Sequence, residues 1–212
     1  MIPFRSITLI GCLFLPFLIW GQTPDIHPLK FNGGLICGTT LSQVHGDGVG
    51  GFNKISYNFG ATVEIENQER KALLLSVIYN NKGSRRPPNP QNGDYETWAY
   101  QFTYIDLPVV YSFPYSLVEF QAGLQPSVFL KGEENFDNNG YIETGLPLKD
   151  FDLSAVIGAR IEYGDRTYIH SRLTQSIIPI TPLPDNPSGT WTTRMRNMTL
   201  ELGVTILVSK IN

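Results

Sequence analysis

Gly46-Asp47-Gly48-Val49-Gly50-Gly51 satisfies the G-x-G-x-x-G spacing of a dinucleotide-binding turn. That chemistry needs a strand before the glycines and a helix after them, so that the helix N-terminus meets the pyrophosphate. Here a second strand pattern begins at Ile55, so the run reads as a turn that glycine permits. His45 and Asp47 could open a metal site, but calcium takes about six to eight oxygens, and this segment supplies one carboxylate plus backbone carbonyls. His27 and His170 have no partner at ligand spacing. His170, Ser171 and Asp165 are the residue types of a hydrolytic triad, yet Ser42, Ser76, Ser112, Ser171 and Ser176 all lack a G-x-S-x-G context. Cys37 has no histidine beside it and reads as a packing or lipid-facing residue. No catalytic, metal-binding or cofactor-binding residue is assigned, and the chain is not expected to be an enzyme.

What remains is charge placed for contact. The segment KGEENFDNNGYIETGLPLKD sets Glu133, Glu134, Asp137, Glu143 and Asp150 against Lys131 and Lys149, a balance of -3. Glu133, Glu134 and Asp137 are expected on a partner-facing loop, and Arg85-Arg86 on another loop could meet anionic lipopolysaccharide head groups. A second charged set, Glu64, Glu119, Arg160, Glu162, Arg172 and Glu201, falls on the polar faces of alternating segments and is expected to form a polar network inside a lumen.

The elements that hold these residues are strands. Alternation of period two, the mark of a strand with chemically different faces, runs through Ile55 to Glu66, Phe151 to Tyr163 and Met198 to Val208. Weaker alternation marks Phe31 to Leu41, Leu73 to Tyr79, residues 99–111, Val118 to Leu130 and Ile169 to Ile177, which makes eight strands. In residues 99–111 the apolar phase slips between Tyr104 and Ile105, as a bulge or a doubly covered strand would require. Long connections alternate strictly with short ones such as NQER, FPYS and GDR. That rhythm predicts an all-β, eight-stranded, antiparallel up-and-down transmembrane barrel with short periplasmic turns and long outer loops.

Period two does not say which face points inward; a soluble barrel with an apolar cavity is the alternative. Glycines on the polar faces (Gly34, Gly38, Gly60, Gly123, Gly158, Gly203) suit a crowded lumen, and aromatics near strand ends, among them Tyr57, Tyr100, Tyr163, Tyr168 and Trp191, suit interfacial girdles. Composition agrees: charged residues are 17% of the chain, below the roughly one quarter of a soluble domain. The formal net charge of -3 provides no basic footprint for nucleic acid.

MIPFRSITLIGCLFLPFLIWGQTP reads as a secretory signal, with Arg5 before an apolar run from Ile7 to Trp20. Cleavage is expected after Gly21, giving a signal over 1–21 and a barrel over 22–212. Cys37 is then the lone cysteine, so no internal disulfide forms.

GGLICGTTLSQVHGDGVGGFNK resembles the first hairpin of PorT-like outer-membrane β-barrel proteins of Bacteroidetes-type bacteria. KGSRRPPNPQNGDY, YIDLPVVYSF and FDLSAVIGARIEYGDRTYIHSRLTQSIIPI recur in the same order, so the resemblance covers nearly all of the chain past the signal. It implies an OmpA-like eight-stranded barrel in the outer membrane. Because the family namesake is associated with protein secretion, it also raises an accessory role in transport or secretion, with secretion-system proteins as partners. The residue reading favours a non-enzymatic structural or interaction barrel, monomeric, surrounded by outer-membrane lipid, with a lumen filled by side chains. One departure is the ending Ser209-Lys210-Ile211-Asn212, where such barrels usually close on an aromatic residue.

Overall fold

The computed structural model describes residues 29–182 and 194–211. The expected signal segment and Trp191 lie outside those residues. Strands β1 (Lys30–His45), β2 (Lys54–Glu66), β3 (Ala72–Arg86), β4 (Trp98–Asp106), β5 (Val109–Tyr115), β6 (Val118–Phe136), β7 (Ile142–Glu143), β8 (Phe151–Glu162), β9 (Thr167–Ser176) and β10 (Arg196–Ile211) are joined by turns and one short 3-10 turn at Pro90–Asn92. Every pairing is antiparallel, and β1 pairs with both β2 and β10, which closes the sheet on itself.

Ten strands make eight staves. β4 and β5 are one stave interrupted at Leu107–Pro108, since β3 and β6 each pair with both. β7 only folds back on the end of β6. The slip read near Tyr104 corresponds to a register shift between Thr103 and Tyr104, where Leu130 of β6 is the extra residue. Tyr104 points into the barrel, fully buried, and Ile105 outward.

Orientation is settled by burial. One outward residue per stave (Leu35, Ile55, Val77, Val109, Leu124, Ile157, Ile169, Leu202) is exposed and apolar. One inward residue per stave (Thr40, Asn58, Asn80, Asp106, Gln125, Asp152, Arg172, Glu201) is buried and polar. A soluble barrel would reverse these faces, because exposed apolar area in water is unfavourable by about 25 cal/mol per Å². The soluble alternative is overturned.

β3 and β6 run further than alternation indicates, to Arg86 and Phe136. Alternation requires lipid on one side. Past the apolar band both faces are wet, so the backbone ladder continues while the hydrophobic pattern stops. Arg85, Arg86, Glu133 and Glu134 therefore stand on strand extensions rather than on loops. At the other end the turns are tight. Asn67 Oδ1 accepts the Glu69 and Lys71 amides at 3.0 and 2.9 Å, and Arg70, Ser116 and Arg166 take positive φ.

Glycine is required where the small barrel coils. A Cβ on inward-facing Gly60 would sit 2.1 Å from the Val77 carbonyl oxygen, and one on Gly123 would sit 2.2 Å from that of Val109. Backbone cannot yield to that.

Candidate functional site: the lumen and the loop rim

The lumen is crossed by polar side chains at three levels. Nearest the short turns, Arg160 of β8 holds Glu119 of the adjacent β6 through Nε at 2.7 Å and reaches across the barrel to Glu64 of β2 through Nη1 at 2.5 Å. Its guanidinium lies 4.2 Å from the Tyr168 ring centroid, and Ser112 donates to Glu119 at 3.0 Å. Arg70, in the β2–β3 turn, approaches the other Glu119 oxygen at 3.4 Å and pairs with Glu162 at 2.8 Å.

At mid-height Arg172 Nε donates to Gln121 at 2.9 Å. Asn80 donates to Asp106 at 3.0 Å and to Glu201 at 3.1 Å, while it accepts from Thr40 at 2.9 Å. Lys82 is wholly buried, pairs with Asp106 at 2.7 Å and stands 4.8 Å from the Tyr104 ring. Towards the long loops, Asp152 accepts from Ser176 at 2.8 Å and from Asn197 at 3.2 Å. The ion pairs of Arg160 and Lys82 offset the cost of burying those charges, whereas Glu64 Oε1, Asp152 Oδ1 and Arg172 Nη2 are buried with no partner among the described residues.

Above them the mouth is closed by an apolar cluster of Val44, Phe102, Tyr104 and Ile180, with Leu146, Leu148 and Met195 packed on it. A second apolar cluster, Ala72, Leu74, Val110 and Val156, fills part of the lumen beside the salt bridges.

Of the residues expected in the lumen, Glu64, Glu119, Arg160, Arg172 and Glu201 are buried inside it. Glu162 is not. It keeps the inward phase, opposite Tyr168, but as the last residue of β8 it stands exposed at the short-turn rim, where Arg70 ties it to Glu119. Sequence reading missed Lys82, Asp106, Asn80 and Asp152. Lys82 follows two asparagines that break the pattern, so no alternation assigns it a face. Two aromatics expected in girdles are turned inward instead: Tyr168 over Arg160, and Tyr100 against Phe102.

At the loop end most of the expected contact residues are engaged within the chain. Glu133 pairs with Lys131 at 2.7 Å, Glu134 accepts from Thr144 at 2.9 Å, and Asp137 accepts the Thr97 amide at 3.0 Å. Arg86 pairs with Asp94. Arg85 is exposed, with no ion pair among the described residues. The G-x-G-x-x-G run is a turn with positive φ at Gly46, Gly48 and Gly51. Asp47 there is buried and accepts the Val49 amide at 2.8 Å; burial pushes its carboxyl pKa above the usual 3.8. His170, at 3.3 Å from the Thr205 hydroxyl, is part of the lumen packing.

Among solved structures, the chain resembles Ail, the attachment invasion locus protein of Yersinia pestis, at TM-score 0.50 and 12% identity, covering 84% of this chain and 97% of that one. It also resembles Neisserial surface protein A at TM-score 0.44 and 13% identity, over 85% and 97% of the two chains. At these identities the likeness concerns the fold. No curated protein matches the chain. Residues 28–181 match the family described as outer membrane protein beta-barrel domain, and the chain belongs to that family.

Proposed function

We propose that this chain is a non-enzymatic structural or interaction barrel of the outer membrane, acting through its long-loop rim or its short turns. The observation that carries this reading is the filled lumen: paired side chains cross it at three levels, and an apolar cluster closes its mouth. Such an interior suits a rigid support better than a conduit. A signal cut after Gly21 and a place among PorT-like members belong to the same proposal, the latter supported by the first-hairpin and YIDLP segments.

The test has two parts. Refolded protein should migrate differently on a gel when boiled and unboiled, and should fractionate with outer membrane. In planar bilayers it should show no large, stable conductance. A porin-like conductance would contradict the filled lumen, and recovery in the detergent-free soluble fraction would contradict membrane insertion.

A further inference from the structure

Lys54 opens β2 at the long-loop end and is only 4% exposed. Its ammonium makes no hydrogen bond or ion pair with any described residue. Burying an ammonium without a counter-ion is costly, so its surroundings need a reason. Pairing between β2 and β3 stops at Asn58–Asn80, below Lys54. The lysine stem lies beside Gly83, its Cδ 3.2 Å from where a Cβ on Gly83 would sit.

There it lines a cleft of about 290 Å³ at the upper rim of the barrel, between the ends of β2, β3, β4 and β6. Arg85 of β3, which has no ion pair among the described residues, lines the same cleft, and none of the described lining residues is acidic. Three acids of the adjoining strand ends have partners of their own: Glu133 pairs with Lys131, Asp94 with Arg86, and Asp137 accepts the amide of cleft-lining Thr97. Asn135 Oδ1 is buried here without a donor. Trp98 and Tyr141 supply aromatic walls.

Two cations and one acceptor without partners among the described residues, beside two aromatic rings, describe one kind of ligand. We propose that this cleft binds a phosphate or sulfate ester carried on a sugar. The ester oxygens meet Lys54 and Arg85, a sugar hydroxyl donates to Asn135 Oδ1, and the ring packs on Trp98 or Tyr141. The proposal rests on one of the two ends named in the reading above, taking the long-loop rim as the interacting one. The ester could be displayed by a glycolipid head group of the surrounding membrane or by a free glycan.

The test uses the full chain in lipid nanodiscs. Glucose 6-phosphate and glucose 6-sulfate represent the free source, and nanodiscs with phosphorylated or dephosphorylated glucosamine lipid represent the membrane source. Trp98 fluorescence and calorimetry read binding. Saturable binding of the ester, with glucose itself inactive, is expected; Lys54→Met should weaken it at least tenfold and Arg85→Gln several-fold, while Arg166→Gln in a short turn leaves it unchanged. Binding only in phosphorylated-lipid discs would assign the ester to the membrane. Binding of free esters would assign it to soluble glycans. If neither source binds, or if Lys54→Met and Arg85→Gln bind as wild type does, the proposal is overturned. Should Lys54→Met fail to fold, Lys54→Arg, expected to retain binding, and the exposed Arg85→Gln carry the test. Heat-modifiable migration is measured on every sample, so loss of insertion, which would sink the barrel reading, is distinguished from loss of binding alone.

Discussion

Removing Arg160 should strand one carboxylate more than the other. Glu64 and Glu119 are 1% and 5% exposed, and both depend on this guanidinium. Breaking a buried ion pair by deleting one partner costs about 3–5 kcal/mol, so Arg160→Met should destabilise the barrel by about 4 kcal/mol. At about 1.4 kcal/mol per tenfold change, the folded-to-unfolded ratio falls roughly a thousandfold. The two acids then differ. Glu119 still has Arg70 at 3.4 Å and the Ser112 hydroxyl at 3.0 Å. Glu64 has no second cation within ion-pair distance among the described residues, and its Oε1 is already buried without a partner. Adding Glu64→Gln to Arg160→Met should therefore recover more than half of the loss, and adding Glu119→Gln clearly less. Urea titration in detergent micelles, followed by tryptophan fluorescence and by the unboiled gel band, measures all four proteins. A cost below about 1 kcal/mol for Arg160→Met, or equal recovery by the two second substitutions, would refute the assignment of Arg160 as a cross-lumen clamp.

Gly60→Val should abolish the compact unboiled band, because the new Cβ meets the Val77 carbonyl oxygen at 2.1 Å and overpacking of this kind costs about 1–3 kcal/mol or more; a normal band would show that β2 and β3 can part. A fluorophore on exposed Cys37, in a Cys12→Ser background, should be quenched by brominated acyl chains and spared by aqueous iodide. The opposite pattern would turn the barrel inside out. Asp47 supplies a pH test: its folded pKa is raised above 3.8 by burial, so its neutral form suits the fold and its contribution is lost as pH rises from there through the folded value. Resistance to urea in detergent micelles, read by the unboiled gel band, should fall over that interval in wild type and stay level in Asp47→Asn.

The staves were legible because lipid on one side and packed side chains on the other impose alternation on residues such as Ile55 to Glu66 and Phe151 to Tyr163. The same cause explains where legibility ended. Beyond the bilayer, the outer extensions of β3 and β6 meet water on their outward face and the alternation stops; at mid-height, Lys82 went unassigned because Asn80 and Asn81 before it leave no apolar phase. Chords across the lumen were hidden as well. Which glutamate faces Arg160 depends on the stagger of staves far apart in sequence, which no local pattern encodes. Nor did polarity alone describe the interior: Phe102, Tyr104, Leu74 and Val110 lie inside, because eight staves enclose a volume that must be filled like any protein core. The cleft at Lys54 needed the end of the β2–β3 ladder, which is likewise a property of the closed sheet.

The apolar cluster at the mouth also divides each long connection into a part that must be kept and a part that is free to change. Leu146 and Leu148 dock on that cluster, and β7 pairs with β6, so the segment from Asp137 to Asp150 is moored along its length except near Asn138 to Gly140. A foreign peptide spliced between Asn139 and Gly140 would leave the β6–β7 pairing and the docked Leu146 and Leu148 in place. The barrel then becomes a display frame, on which surface variation can accumulate at the loop tip at little cost to folding.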